Sequence, residues 1–260
     1  MLGRLFKHAT PSPAQDAPPA FPPPRPEGTV YAIGDVHGRS DLLDALLARI
    51  DADAADHGAT APAIFLLGDY VDRGPDSRGV IDRAVALEAD RTRRVTCLMG
   101  NHEAMMFEFI DQTGTLGHVW LDNGGLATLE SYGVAGLLAE RDATTMARAA
   151  AEFAEAMGAA HLAWLRGLPR QAWSGNVHFV HAAADPFRPM DDQDPEMLIW
   201  GRPSRRAPPR PDGQWVVHGH TIVETPVHVP GRINVDTGAV HSGRLTAARI
   251  AGGEVEFLST

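Results

Sequence analysis

Residues 29–50 read "TVYAIGDVHGRSDLLDALLARI". A short run rich in β-branched and aromatic residues ends on Gly-Asp, and Leu and Ile then recur at helical spacing behind a Ser-Asp start. The pattern predicts strand, turn and helix. The cycle returns at "AIFLLGD" (63–69) with "SRGVIDRAVALEAD" (77–90), and again at "RVTCLMGN" (94–101) with "HEAMMFEFI" (102–110). Successive units of this kind imply parallel strands with helices packed over them, because a parallel pair needs a crossover connection. In such sheets ligands sit beyond the carboxyl ends of the strands, where Asp35, Asp69 and Asn101 fall.

Further along, residues from about 118 to 168 read as helical, ending in the Ala-rich "DATTMARAAAEFAEAMGAAHLAWLRGL", and "NGG" at 123–125 breaks an earlier helix. This stretch is placed to cap the site. Six shorter β-like runs follow: "NVHFVHAA", "QWVVHGHT", "TPVHVP", "RINVDTGA", "RLTAARIA" and "EVEFLS", separated by Gly and Pro turns. They imply a second sheet, mixed or antiparallel. The expected fold is α/β, a β-sandwich of mixed sheets flanked by helices.

The chain of 260 residues is long enough to bury a substantial core. Its net charge of −10 argues against nucleic acid as a partner, since that affinity comes from Lys and Arg neutralising phosphates. Cys97, the only cysteine, excludes an intrachain disulfide and reads as a buried structural thiol in a reducing compartment. "MLGRLFKH" is too short and too charged for a signal-peptide core, and no stretch approaches the ~20 apolar residues of a membrane span. A soluble, cytoplasmic protein is expected. Residues 9–27 are so rich in Pro and Ala that no hydrophobic face repeats, so residues 1–28 are read as a disordered, polyproline-like leader and 29–260 as the folded domain. "FPPPRP" in that leader also suits an aromatic groove on a partner.

The chemistry gathers at the strand ends: Asp35, His37, Asp69, Asn101, His102, His181 and His220. Carboxylate, imidazole and amide oxygen together suit two divalent ions, with manganese the first choice and iron or zinc next. Asp69 is the natural bridge, because one carboxylate can bind two ions. Such ions lie ~3.5–4 Å apart and share a deprotonated water ready for in-line attack on phosphorus.

In this order and spacing, "GDVHG", "GDYVDRG", "GNHE", "HAA" and "HGHT" resemble the metallophosphoesterases of the phosphoprotein phosphatase family over about residues 29–250. "LIWGR", "HGHT" and "INVDTGAV" are most similar to the bacterial and phage-type members. The resemblance implies a serine/threonine phosphatase that hydrolyses phosphomonoesters of a phosphorylated protein or peptide by direct attack of a metal-bridging hydroxide. It also implies a first metal on Asp35, His37 and Asp69, and a second on Asp69, Asn101, His181 and His220. His102 would then point away from the metals and protonate the leaving group, with Asp72 raising its pKa. Arg73 and Arg202 would clamp the phosphate, Arg205 and Arg206 being neighbouring candidates, with Asn101 beside it. A diadenosine tetraphosphatase or other small-molecule phosphoesterase is the alternative, sharing "GDVHG" and "GNHE". Ala183 stands where the family pattern has Gly, and Ile222 where the broader group has a final His.

The remaining histidines, His8, His57, His118, His161 and His228, read as core or surface residues. His218 precedes His220 by two positions and so shares its strand face, while His178, three positions before His181, is read as a candidate to line the site. Glu103 is read as a cap for the helix behind "GNH" or a partner for a basic group, Trp200 as packing that aims Arg202, and "NGG" as a helix break whose N–H groups could also meet phosphate. A catalytically dead fold acting as a binding module is the other class of reading, disfavoured because every expected ligand is present.

Overall fold

The computed structural model describes residues 21–111, 116–134, 141–202 and 207–260. Three β-α units open the chain: β1 (Val30–Ile33) with α1 (Ser40–Asp56), β2 (Ala63–Leu66) with α2 (Ser77–Ala89), and β3 (Arg94–Cys97) with α3 (Asn101–Asp111). As the repeated cycle predicts, β1 pairs with β2 and β2 with β3 in parallel. A helical block follows: α4 (Leu116–Trp120), a π-turn (Leu121–Gly125), α5 (Leu126–Ser131) and α6 (Ala143–Arg166), the last bent at Gly158, where φ is 72°.

The second sheet takes β4 (Gln171–Ser174) and β5 (Val177–Val180), then, after α7 (Pro195–Trp200), β6 (Trp215–His218), β7 (Val227–Val229) and β8 (Arg232–Asn234). Its order is β4-β5-β6-β8-β7, with β5, β6 and β8 parallel and the two edge strands antiparallel. After α8 (Ala239–Ser242), the hairpin β9 (Thr246–Ala251) and β10 (Glu254–Ser259) returns to the first sheet, giving the order β10-β9-β1-β2-β3. The sequence reading had assigned these last two runs to the second sheet. Local alternation marks them as strands but carries no information about which edge they join.

Two-residue alternation divides the buried side chains into layers. Tyr31, Ile33, Ile64 and Leu66 face the helices, whereas Val30, Ala32, Ala63 and Phe65 face the second sheet. There Phe65 stacks on Phe179 with ring centroids 3.8 Å apart, among Val177, Trp215, Val217 and Ile233. Truncating Phe179 to Ala would cost roughly 3–5 kcal/mol, the usual span for a buried aromatic. Cys97 is fully buried, as its neighbours implied.

The leader expectation needs correction over residues 21–27; residues 1–20 lie outside the described residues. Phe21 packs edge-on against Trp215, whose Nε1 donates to Pro22 O at 2.8 Å. Asn176 Nδ2 donates to Pro23 O, and the backbone N–H groups of Arg25 and Glu27 donate to Asn176 and Ser174. An extended Pro-rich segment leaves its carbonyls unpaired, so side chains of the second sheet can take them.

Candidate active site

The carboxyl ends of β1, β2, β3, β5 and β6 converge, and the segments beyond them carry the singled-out residues except Arg202, which follows α7. Among the described residues six non-glycine positions have positive φ, and five of them are here: His37, Asp69, Asp72, Arg73 and His220. Such conformations persist only where the surroundings over-determine them. Much of that restraint comes from Glu103. Its fully buried carboxylate accepts from the backbone N–H groups of Tyr70 (2.8 Å), Val71 (3.2 Å), Asp69 (3.0 Å) and Gly100 (3.0 Å). Burial pushes this acid up to about 7, against the pull of the Tyr70, Val71 and Asp69 donors. Of the two roles expected for Glu103 the cap is present, through Gly100 N–H at the start of α3, and in place of a basic partner the carboxylate ties in the Asp69 turn.

Two of the imidazoles share one orientation. His37 Nδ1 donates to Val71 O at 2.7 Å and His181 Nδ1 to Leu67 O at 2.9 Å, so each neutral ring turns a bare Nε2 inward. Those Nε2 atoms address different oxygens of Asp69: His37 lies 3.5 Å from Oδ2, His181 3.4 Å from Oδ1. Asn101 Oδ1 sits 2.9 Å from both His181 Nε2 and His220 Nδ1. Asp35 accepts from the His220 N–H at 3.1 Å. Two sets, His37-Asp69-His102 and Asp69-His181-His220, bring their ligand atoms close enough to surround an ion each.

Burial drives the titrations. It holds Asp35 and Asp69 well above the carboxylate range, reinforced for Asp35 by Asp236 and for Asp69 by Glu103. It pushes His37 and His181 well down, and His220 down to about 4 with help from Arg202 and Arg73. Inward lone pairs, outer N–H groups anchored on carbonyls and a carboxylate offering one oxygen to each set are the donors that divalent cations require, so the residues fit such ions.

His102 differs from expectation in two respects. Its ring does not point away from the ligand set: Nε2 lies 3.9 Å from Asp69 Oδ2 and the ring meets His37 edge-on at 4.6 Å. Its pKa is also pushed well down, by burial first and then by the Arg73 guanidinium and His220, while burial pushes Asp72 up to about 8. The Asp72 pairing itself is present, with His102 Nδ1 and Asp72 Oδ2 2.6 Å apart. Sequence reasoning missed the residues that build it. Trp120 Nε1 donates to Asp72 Oδ2 at 2.8 Å and Thr128 Oγ1 to Oδ1 at 2.7 Å. Nothing in the sequence near Trp120 signals this, since the contact exists only once the helical block folds back.

Arg73 donates from Nη1 to His37 Nε2 (2.8 Å) and from Nη2 to His102 Nε2 (2.9 Å), spanning the cleft floor. "NGG" supports it with a carbonyl: Gly124 O accepts the Arg73 N–H at 3.2 Å, and a Cβ on Gly124 would meet that nitrogen at 2.8 Å. The cleft has a volume of about 440 Å³ and is bordered by Arg73, Asn101, His102, Trp200 and Arg202, with Val119 and Ile222 on its rim. Trp200 is half-buried against the core, as read. Arg205 and Arg206 lie outside the described residues. His178 bonds Gln214, and His218 donates from Nδ1 to Gly219 O; neither lines this cleft. His241 shares a small cavity with His37 and Asp236. Ala183 has an ordinary negative φ, so the missing glycine leaves no strain beside His181.

With this geometry in view, the family described as calcineurin-like phosphoesterase matches residues 28–224. A bis(5'-nucleosyl)-tetraphosphatase PrpE of Oceanobacillus iheyensis is 28% identical over 245 residues, 87% of this chain and 90% of the relative. Serine/threonine-protein phosphatase 1 of Salmonella typhimurium is 26% identical over 225 residues, 85% of this chain and 91% of the relative. A solved cold-active protein-tyrosine phosphatase of Shewanella superposes with a TM-score of 0.56 at 20% identity, covering 89% of this chain and 80% of that one. No helix among the described residues is long and apolar enough to cross a membrane.

Proposed function

The chain belongs to the calcineurin-like phosphoesterase family, and from that premise we propose that it hydrolyses phosphoserine and phosphothreonine in proteins by direct attack of water. Asp35, His37 and Asp69 would hold a first divalent ion and Asp69, Asn101, His181 and His220 a second, with manganese the favoured metal. When bound, the ions neutralise phosphate charge and lower the pKa of the attacking water.

The observation that carries this reading is the buried His102–Asp72 pair at 2.6 Å, beside an arginine that already spans the cleft. Ser and Thr alkoxides are poor leaving groups and need a proton as the bond to phosphorus breaks. Arg73 donates to His102 Nε2, so that nitrogen is engaged as an acceptor. A phosphate that draws the guanidinium onto its own oxygens releases Nε2 to take up a proton. Asp72, held by Trp120 and Thr128, then stabilises the imidazolium until the proton passes to the leaving oxygen. Arg202, exposed on the opposite rim, completes the clamp. No cysteine lies at the site, Cys97 being buried in the core, which favours water over a cysteinyl-phosphate route.

A second reading, hydrolysis of dinucleoside tetraphosphates, is favoured by the PrpE relative, which matches over 90% of its length. Side-by-side rates on phosphoserine peptide, phosphotyrosine peptide and diadenosine tetraphosphate, with p-nitrophenyl phosphate as the general ester, test the choice. Higher kcat/KM on the dinucleotide than on any phosphopeptide would replace the first reading with the second. Metal-independent silence on all four substrates would leave only a binding module.

A further inference from the structure

Trp120, Gly124 and Thr128 recur every four residues along the segment that runs from α4 through the π-turn into α5, and each bonds to Asp72 or Arg73. Trp120 Nε1 bridges the Asp72 carboxylate, 3.0 Å from Oδ1 and 2.8 Å from Oδ2. Thr128 Oγ1 donates to Oδ1 at 2.7 Å and accepts from the Asp72 N–H at 2.8 Å. A hydroxyl has one proton to give, so Ser77 Oγ, 2.9 Å from Thr128 Oγ1, donates to it in turn. Asp72, Ser77, Trp120 and Thr128 are all fully buried. Held by these donors, the carboxylate presents Oδ2 to His102 Nδ1 at 2.6 Å and turns Oδ1 to Thr128.

We propose that Trp120 and Thr128 are positioning residues for the general acid, and that their hold on Asp72 sets how poor a leaving group the enzyme can expel. The inference rests on the acid role proposed above for His102 with Asp72. Val119 and Asn123 of the same segment border the cleft, but Trp120 and Thr128 do not, so these two act through Asp72. Core packing accounts for the indole ring, whose centroid lies 4.8 Å from that of Phe109 and 5.7 Å from that of Phe153. Packing does not account for an indole N–H laid across both oxygens of one carboxylate, nor for the Thr128 hydroxyl beside it. A carboxylate freed to turn lets the imidazole drift, and an acid protonates the leaving oxygen only from hydrogen-bond distance. The cost therefore grows with the leaving group's need for a proton.

The test is a series of aryl phosphates running from p-nitrophenyl to phenyl phosphate, hydrolysed by the full chain in saturating Mn²⁺. Such a series reads the acid without reference to the natural substrate. Trp120→Phe keeps an aromatic ring in the core and removes the N–H; Thr128→Val keeps the side-chain shape and removes the hydroxyl; Thr128→Ser keeps the hydroxyl. The first two should each lose ~10-fold or more in kcat on phenyl phosphate beyond their loss on p-nitrophenyl phosphate, the worth of one hydrogen bond to a charged group. Thr128→Ser should keep the wild-type ratio. Urea unfolding reads any loss of stability separately, and if Trp120→Phe does not fold, the Thr128 pair decides. An equal loss across the series in either variant, or the same ratio in Thr128→Ser as in Thr128→Val, would make the contacts structural and overturn the inference. His102→Asn in the same series separates the two levels of failure. If it steepens the dependence on leaving group and the Trp120 and Thr128 variants do not, this inference alone falls; if it does not, the acid reading falls as well.

Discussion

Replacing Glu103 with Gln tests whether the Asp69 turn is held from behind. The carboxylate takes two backbone N–H groups on each oxygen: Tyr70 and Val71 on Oε1, Asp69 and Gly100 on Oε2. Gln keeps one oxygen and turns an NH₂ toward the other pair, leaving two buried donors without acceptors. At ~1–3 kcal/mol for each such group, the loss is about 2–6 kcal/mol. For a domain of this size that lowers Tm by roughly 5–20 °C. Because Asp69 sits at φ 53°, a loosened turn also releases the carboxylate from its position, and metal affinity should fall ~10–100-fold. Urea unfolding of the metal-free protein at pH 8, where an acid pushed up to about 7 is ionised, measures the first effect; titration calorimetry with Mn²⁺ measures the second. A variant within ~0.5 kcal/mol of wild type that binds Mn²⁺ normally would refute the restraint, since that is the scatter of an ordinary surface change.

Three further outcomes follow from the site. His102→Asn leaves Asp35, His37 and Asp69 for the first ion, so it should retain metal yet lose ~10²–10⁴ in rate on phosphoserine peptides, and far less on p-nitrophenyl phosphate, whose leaving group needs the proton much less; lost metal would make His102 a ligand, and equal losses on both substrates with metal intact would remove it from the acid role. Asp69→Asn should lose bound metal and activity together, because both ligand sets use its carboxylate, and metal analysis finding two ions per chain at near-normal rate would rule out the bridge. His218 is buried with its pKa pushed down to about 4 from an ordinary 6.5, so the unfolded chain binds its proton first and this residue's contribution is lost as pH falls from about 6.5 to 4. His218→Gln should therefore flatten the slope of unfolding free energy against pH in that window by about 1.4 kcal/mol per unit, and an unchanged slope would show that the ring is not held neutral.

The parallel half of the fold was legible because each β-α unit is written locally: an apolar run, Gly-Asp, then a 3.6-residue period. The strand-end side chains were legible for the same reason, since "GDVHG", "GDYVDRG" and "GNHE" place them at turns directly after strands. What could not be read were contacts made only in three dimensions. Asp236 meets Asp35 across the cleft floor, and Trp120 reaches Asp72 across 48 residues, yet neither lies in a pattern that distinguishes it from core packing. The hairpin β9–β10 shows the same limit for strands: alternation fixes the faces of Thr246–Ala251, while the unpaired edge of β1 decides where it goes. Residues 21–27 were misread because composition reports chain stiffness and says nothing about the Asn176 and Trp215 side chains waiting for proline carbonyls.

The electrostatics of the cleft argue from the chain alone for a cation among these residues. Burial pushes Asp35, Asp69 and Asp236 toward their neutral forms, reinforced for Asp35 and Asp69 by neighbouring carboxylates, and burial and neighbouring positive charge push His37, His181 and His220 toward theirs. Each shift is that of a group whose ionised state lacks compensation, but only the carboxyls must ionise to bind metal. Neutral imidazoles are already in the form that binds metal. The carboxyls are not, and Arg73, the guanidinium that contacts His37 and His102, places one positive charge against them. A divalent cation held by Asp69 and these imidazoles would stabilise the ionised carboxylates and use the imidazoles as they stand, so metal capture would be linked to carboxyl deprotonation. The strained turns at His37, Asp69 and His220 keep these atoms apart from solvent and aimed at one another before that event, which explains why the fold concentrates its positive-φ residues there.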